Sequence, residues 1–148
     1  MGVKDSKAKE YLSDNTRFSE ICNYMLFGGD KIIKPQDLKE CDSTEVLSIF
    51  GIDKKQIIRQ KWRDLLKRVS VKYTGNMYIV LMGIEAQTGV HYAMPVKTMM
   101  YDVLNYGDQV NEAKKRHKKN KDYKSSEEFL SGFTHDDKLT PVITITLY

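Results

Sequence analysis

The sequence predicts a mixed α/β fold, on three observations. Phe18, Ile21, Cys22, Met25 and Leu26 recur at the i, i+3, i+4, i+7, i+8 spacing of an amphipathic helix. Met77-Tyr78-Ile79-Val80-Leu81-Met82-Gly83-Ile84 is an apolar run of strand length. A second helical pattern begins at Pro95 and is followed by the β-branched stretch from Pro141 to Tyr148. The chain has 148 residues, enough for one domain with a core and too few for two. Hydrophobic residues at 41% with only 3 Pro and 9 Gly exclude a disordered or collagen-like chain.

Residues 1–15 are polar without a sustained period and read as a lead-in to a domain spanning 16–148, with Tyr11 and Leu12 able to dock. The first helix starts near Thr16, with Ser13, Asp14, Asn15 or Thr16 as its cap, and Gly28-Gly29 stops it. Glu20 and Asn23 lie to one side of its apolar stripe, placed to reach toward the end of a neighbouring strand. Lys34-Pro35-Gln36-Asp37 breaks the chain, and residues 38–50 suit a short strand or hairpin. Trp62 to Val71 reads as a strand with Trp62, Asp64, Leu66 and Arg68 on one face and Leu65, Val69 and Val71 on the other, a short helix being the alternative. After a Gly75-Asn76 turn comes the apolar run, expected to be buried on both faces.

That run leads into Glu85-Ala86-Gln87, and side-chain alternation points Glu85 and Gln87 the same way. Pro95 then opens the longest helix, with Val96, Met99, Met100, Val103, Leu104 and Val110 at helical spacing. A loop from Tyr123 to Lys138 precedes the final strand. No internal repeat is present.

The net charge is +4, but six cations cluster around His117: Lys114, Lys115, Arg116, Lys118, Lys119 and Lys121. Such a patch attracts polyanions by releasing counterions, which makes nucleic acid a candidate partner. Taken alone, the run reads better as the solvated C-terminal end of a helix, where cations complement the dipole. No apolar stretch approaches the roughly 18–20 residues of a membrane span, and the charged opening Met1 to Lys7 lacks a signal-peptide core, so a cytoplasmic protein without membrane contact is expected. Met1-Gly2 with Ser6 fits a myristoylation pattern only loosely. Cys22 and Cys41 show neither disulfide nor zinc spacing, and Cys22 falls on the apolar stripe as a buried thiol. His91, His117 and His135 are read as surface or loop histidines.

Asp64 on one strand and Glu85-x-Gln87 after the next, with a turn between, is a spacing that joins two carboxylates when adjacent strands pair. Two carboxylates can hold Mg²⁺ or Mn²⁺, which take oxygen ligands, keep waters and activate one of them against a phosphodiester. The linked segments Phe18 to Phe27, Ile33 to Leu38, Arg63-Asp64, Gly83 to Thr88, His91 to Lys97 and Tyr101-Asp102 resemble the Rpn family of recombination-promoting nucleases, also labelled transposases, within the PD-(D/E)XK superfamily. The resemblance extends from about Tyr11 to Tyr148.

It implies a restriction-endonuclease-like core of helix, three strands, helix and strand, with a mixed central sheet, cutting DNA with Mg²⁺ or Mn²⁺. Carried over by position, it implies catalytic roles for Glu20, Asp64, Glu85 and Gln87, with Asp64 and Glu85 as metal ligands. DNA contacts would come from Lys97 and from Lys114, Lys115, Arg116, Lys118, Lys119 and Lys121. Gln87 stands where the wider superfamily has lysine, and it orients water or phosphate oxygen without supplying charge. Glu20 replaces a common Asp, and Lys97 a common Arg with its bidentate grip on phosphate. Relatives generally continue past the strand that reaches Tyr148, so the resemblance also implies missing C-terminal elements. Double-strand cutting would favour a homodimer.

Each site residue also has an ordinary structural role open to it: Asp64 as an edge charge, Glu20 as a solvated helix residue, Gln87 as a loop amide. Glu85 fits that description least, because a carboxylate directly after a core strand needs a partner, a raised pKa or a metal. Trp62 and Tyr101 read as packing residues. The competing functional readings are an inactive nuclease-fold module that binds DNA or protein, and a plain interaction or dimerisation domain.

Overall fold

The computed structural model describes residues 3–41, 65–87 and 89–148. The first element is a helix, α1 (Val3–Ser13), where a lead-in without structure was expected. The segment is rich in helix-forming Lys, Ala and Glu but carries almost no apolar period, so periodicity misses it. Its anchor is Leu12, buried in the core; Tyr11 stays exposed, its ring stacked under the Arg17 guanidinium at 3.9 Å.

A sharp corner leads to α2 (Asn15–Phe27). Asp14 caps it, its Oδ1 accepting from the Thr16 and Arg17 N–H groups at 3.1 Å each, and Gly28 ends it at φ 62°. The expected stripe is buried through Phe18 and Cys22. Burial pushes the Cys22 thiol up to about 12, which leaves it an inert packing group. Asn23 is also buried, and its amide brackets Ile33: Nδ2 donates to the Ile33 carbonyl and Oδ1 accepts from the Ile33 N–H, both at 2.8 Å. The connection after α2 is thereby sewn to the helix that precedes it.

After a 3₁₀ turn at Pro35–Asp37 come β1 (Leu38–Glu40), β2 (Leu65–Tyr73) and β3 (Asn76–Ala86). Trp62 and Asp64 lie outside the described residues, as does the expected strand or hairpin beyond position 41. The hairpin between β2 and β3 turns at Thr74 and Gly75, both at positive φ, so Asn76 already pairs with Tyr73. Helix α3 (Met94–Asn120) follows, with Pro95 in its first turn, and a short α4 (Ser126–Ser131) precedes β4 (Val142–Leu147).

Among the described residues one sheet forms, in the order β1-β2-β3-β4. The first two pairings are antiparallel, and β4 joins β3 in parallel after the α3 crossover. One face carries Leu65, Val69, Val71, Met82, Ile84 and Ile145, which meet Leu12, Phe18 and Cys22 of the first two helices in the core. The other face receives α3. Of the apolar run only Met82 to Ile84 are buried, followed by the buried Glu85; Met77, Tyr78 and Ile79, next to the hairpin turn, are exposed.

Helix α3 docks through a largely polar seam. Thr144 donates to Asp102 Oδ1 at 2.8 Å, the Val142 N–H donates to the Tyr106 hydroxyl at 3.1 Å, and Gln109 bonds both backbone groups of Thr140. The apolar spacing read from the sequence therefore does not mark the docked face: Val96, Met99, Met100 and Val103 point away from the sheet and are exposed. No helix among the described residues is long and apolar enough to cross a membrane.

Candidate functional site

The β2/β3 ladder pairs Leu65 with Ile84 and Leu66 with Gly83, so β3 is paired with β2 up to Ile84. Glu85 comes next on the face that α3 covers, and it is only 4% exposed. Two polar side chains, those of Gln87 and Lys97, meet on it. Its Oε1 accepts from Gln87 Nε2 at 3.0 Å and from Lys97 Nζ at 2.5 Å, Lys97 standing in the first turn of α3. The Gln87 backbone is held by its N–H bond to the Leu147 carbonyl, 2.9 Å, at the end of β4. Glu85 and Gln87 thus share one side of the strand, as alternation requires.

Lys97 is half-buried and lies 5.6 Å from the Tyr101 ring centre one turn further on. Desolvation lowers its pKa, but the hydrogen bond to Glu85 and the proximity of Tyr101 outweigh that, and the net shift is upward. The ammonium is therefore held charged beside the carboxylate. A near-neutral pair with a flexible cation is a group that can be opened by a stronger partner for either half.

The remaining sequence candidates fall elsewhere. Asp64 lies outside the described residues. Glu20 is exposed on α2, in the helical layer across the sheet from α3. Lys114, Lys115, Arg116, Lys118, Lys119 and Lys121 are all exposed on the last turns and C-cap of α3. At about 1.5 Å per residue, Lys114 is about 25 Å from Lys97 along the helix axis. Arg116 is tied to Asp137 in an ion pair.

His117 was expected at the surface and is instead buried, because a salt-bridged corner closes over it. Its Nδ1 meets Asp122 Oδ1 at 2.7 Å and its Nε2 meets Asp137 Oδ2 at 2.8 Å. Asp137 also accepts from the Thr134 N–H and hydroxyl at 2.8 and 3.0 Å. Asp137 is 20 residues from His117, and Asp122, though only five residues on, stands past the Lys121 C-cap, outside the helical i, i+3, i+4 spacing.

The ion implied by the resemblance can be weighed against these groups. Among the described residues no three His, Cys, Asp or Glu side chains gather to hold a metal. The donor chemistry at the β3 end nevertheless suits a hard cation, since the Glu85 carboxylate and the Gln87 amide oxygen are both oxygen donors and Mg²⁺ needs few of them. In comparisons with known proteins the chain matches no family model, and neither a curated protein nor a solved structure is similar to it.

Proposed function

We propose that the chain is a divalent-metal-dependent DNA endonuclease of the Rpn type, linked to recombination or transposition. The observation that carries this reading is Glu85, a buried carboxylate at the end of a core strand whose partners, Gln87 and Lys97, are the residues a phosphodiester site uses. The helix, three strands, crossover helix and parallel strand support a restriction-endonuclease-like core, since that is the order the resemblance implies.

In this reading Asp64 and Glu85 hold Mg²⁺ or Mn²⁺. Such an ion supplies Lewis acidity, neutralising charge on the phosphodiester and easing deprotonation of water. Gln87 orients the attacking water through its amide, which hydrogen-bonds without taking up a proton. Lys97 balances Glu85 in the resting protein and, once released, offers its ammonium to the phosphate. Glu20 assists through a water or a second ion. The run from Lys114 to Lys121 grips DNA backbone about seven base pairs from the centre, given about 25 Å along α3 and about 3.4 Å per base pair.

The test is nicking of supercoiled plasmid with Mg²⁺ or Mn²⁺, with and without chelator. The parent chain should nick in a metal-dependent way, and Asp64→Ala and Glu85→Ala should each lower the rate by at least ~100-fold. Absence of cleavage with any metal while DNA binding persists would sink the activity and leave a DNA-binding module whose Glu85–Lys97 pair is structural.

A further inference from the structure

The ion pair at the end of β3 is closed on the oxygen that an incoming cation would need. Glu85 is almost wholly buried, and Lys97 Nζ stands 2.5 Å from its Oε1, the atom that also accepts from Gln87 Nε2 at 3.0 Å. A buried carboxylate without a counter-charge is costly, so Glu85 calls for a cation beside it. Among the described residues Lys97 is the cation that fills this place. Gln87 does not bar another one, since its uncharged amide offers an oxygen as well as an N–H.

What holds the ammonium there is the carboxylate rather than the helix it stands on. Lys97 lies in the first turn of α3, and that turn contains no acidic residue. A helix dipole favours an anion at this end, so Glu85 keeps the cation in place against the dipole. The Lys97 side chain is 37% exposed, and its flexible stem lets the charge swing into water. Once released, the ammonium is beside a helix end that prefers an anion.

We infer that Lys97 is a placeholder cation for the Glu85 site, displaced by a divalent ion and a DNA phosphate acting together, so that each binds more tightly in the presence of the other. The inference rests on the reading of Glu85 as a metal ligand. An ammonium at hydrogen-bond distance and a divalent cation cannot share Oε1, because both are positive and both need the same side of that oxygen. Binding of the ion therefore costs the Glu85–Lys97 pair unless the freed ammonium finds another anion. A phosphodiester is such an anion, and it no longer competes with Glu85 for Lys97 once the carboxylate is engaged. By linkage the two ligands raise each other's affinity by one common factor, about 5–150-fold for couplings of the usual size. The centre is then assembled on DNA and binds its ion weakly away from it.

The test reads binding and not cleavage. Mn²⁺ is titrated calorimetrically, without DNA, into the 148-residue chain, into Lys97→Met, which keeps the stem and removes the charge, and into Lys97→Arg, which grips the carboxylate with two donors. Lys97→Met should bind Mn²⁺ at least ~5-fold more tightly than the parent, and Lys97→Arg more weakly. Fluorescence anisotropy of a short labelled duplex, with Ca²⁺ as an ion of the same oxygen preference, should show the parent binding DNA at least ~5-fold more tightly when the ion is present, and Lys97→Met gaining less. Mn²⁺ affinity that is unchanged or lowered in Lys97→Met, while Glu85→Gln loses it, overturns the placeholder role and leaves Glu85 a ligand. Absence of Mn²⁺ binding by both the parent and Lys97→Met removes the metal site and the inference with it. An equal Ca²⁺ gain in the two proteins shows that the coupling does not run through Lys97. If Lys97→Met loses its helical circular dichroism, Lys97→Arg, which retains the pair, decides: Mn²⁺ binding as tight as the parent's or tighter overturns the inference.

Discussion

Lys67 shows how a single residue can organise a corner of the fold. It is fully buried on β2, facing the helices beside Val69, in line with Leu65 and Val71. Its ammonium donates to the Ser13 carbonyl at the end of α1, to Asn15 Oδ1 at 2.5 Å, and pairs with Glu40 Oε1 at 2.8 Å. The Phe18 ring lies 5.2 Å from it. One cation thus satisfies a terminal helix carbonyl and fixes the turn between α1 and α2. Lys67→Ala should cost about 2–4 kcal/mol, combining a cavity with orphaned buried acceptors. Glu40→Ala should cost about 1 kcal/mol or less, because that carboxylate is mostly exposed. Urea unfolding of the two variants checks the contrast; equal effects would show that the ion pair, and not the helix corner, is what Lys67 serves. The alternation of β2 placed residue 67 on the inner face, but only the positions of Ser13 and Asn15 make a lysine acceptable there.

At the scale of the element, the C-terminal end of α3 is closed by chemistry rather than by apolar packing. Both ring nitrogens of His117 face carboxylate oxygens, which only accept, so the imidazolium satisfies both partners. The Asp122 hydrogen bond raises the His117 pKa above its ordinary 6.5, against burial and with help from Asp137. Asp122 is held low by His117; burial would raise Asp137, but Thr134 and His117 hold it low as well. The His117 contribution to stability is therefore complete below 6.5 and lost as pH climbs through its raised folded value. The two aspartates contribute above their ordinary 3.8 and lose that contribution as pH falls through their depressed values. Thermal unfolding followed against pH should show a plateau between these limits, and His117→Gln should remove most of the decline on the alkaline side. An unchanged alkaline limb in the variant would show that His117 is not its source. Gly132, at φ 73°, is required nearby, since a Cβ there would stand 2.5 Å from the Lys114 Cγ.

For the whole molecule, the legible parts were those where one period or one punctuation mark decides. The Phe18 to Leu26 stripe, the apolar β3 run, the Pro95 start and the β-branched β4 each became the expected element. So did the shared side of Glu85 and Gln87, since alternation along a strand is fixed by the backbone. Three features resisted for physical reasons. Helix α1 forms without an apolar period. The valines and methionines of α3 look outward, while Tyr101, Asp102, Tyr106 and Gln109 face the sheet, so hydrophobicity indicated the wrong side of a correctly placed helix. The pairing of Lys97 with Glu85 needed the crossover geometry that returns α3 over the end of β3.

The central claim is that Glu85, though paired with Lys97 in the resting protein, is a ligand for a divalent ion. The most direct test is calorimetric titration of Mn²⁺ into the 148-residue chain and into Glu85→Gln, which keeps the shape and the hydrogen-bonding oxygen but removes the charge. The account predicts saturable binding by the parent, with affinity at least ~10-fold weaker in the variant. Equal binding by the two proteins, or none by the parent, would contradict it.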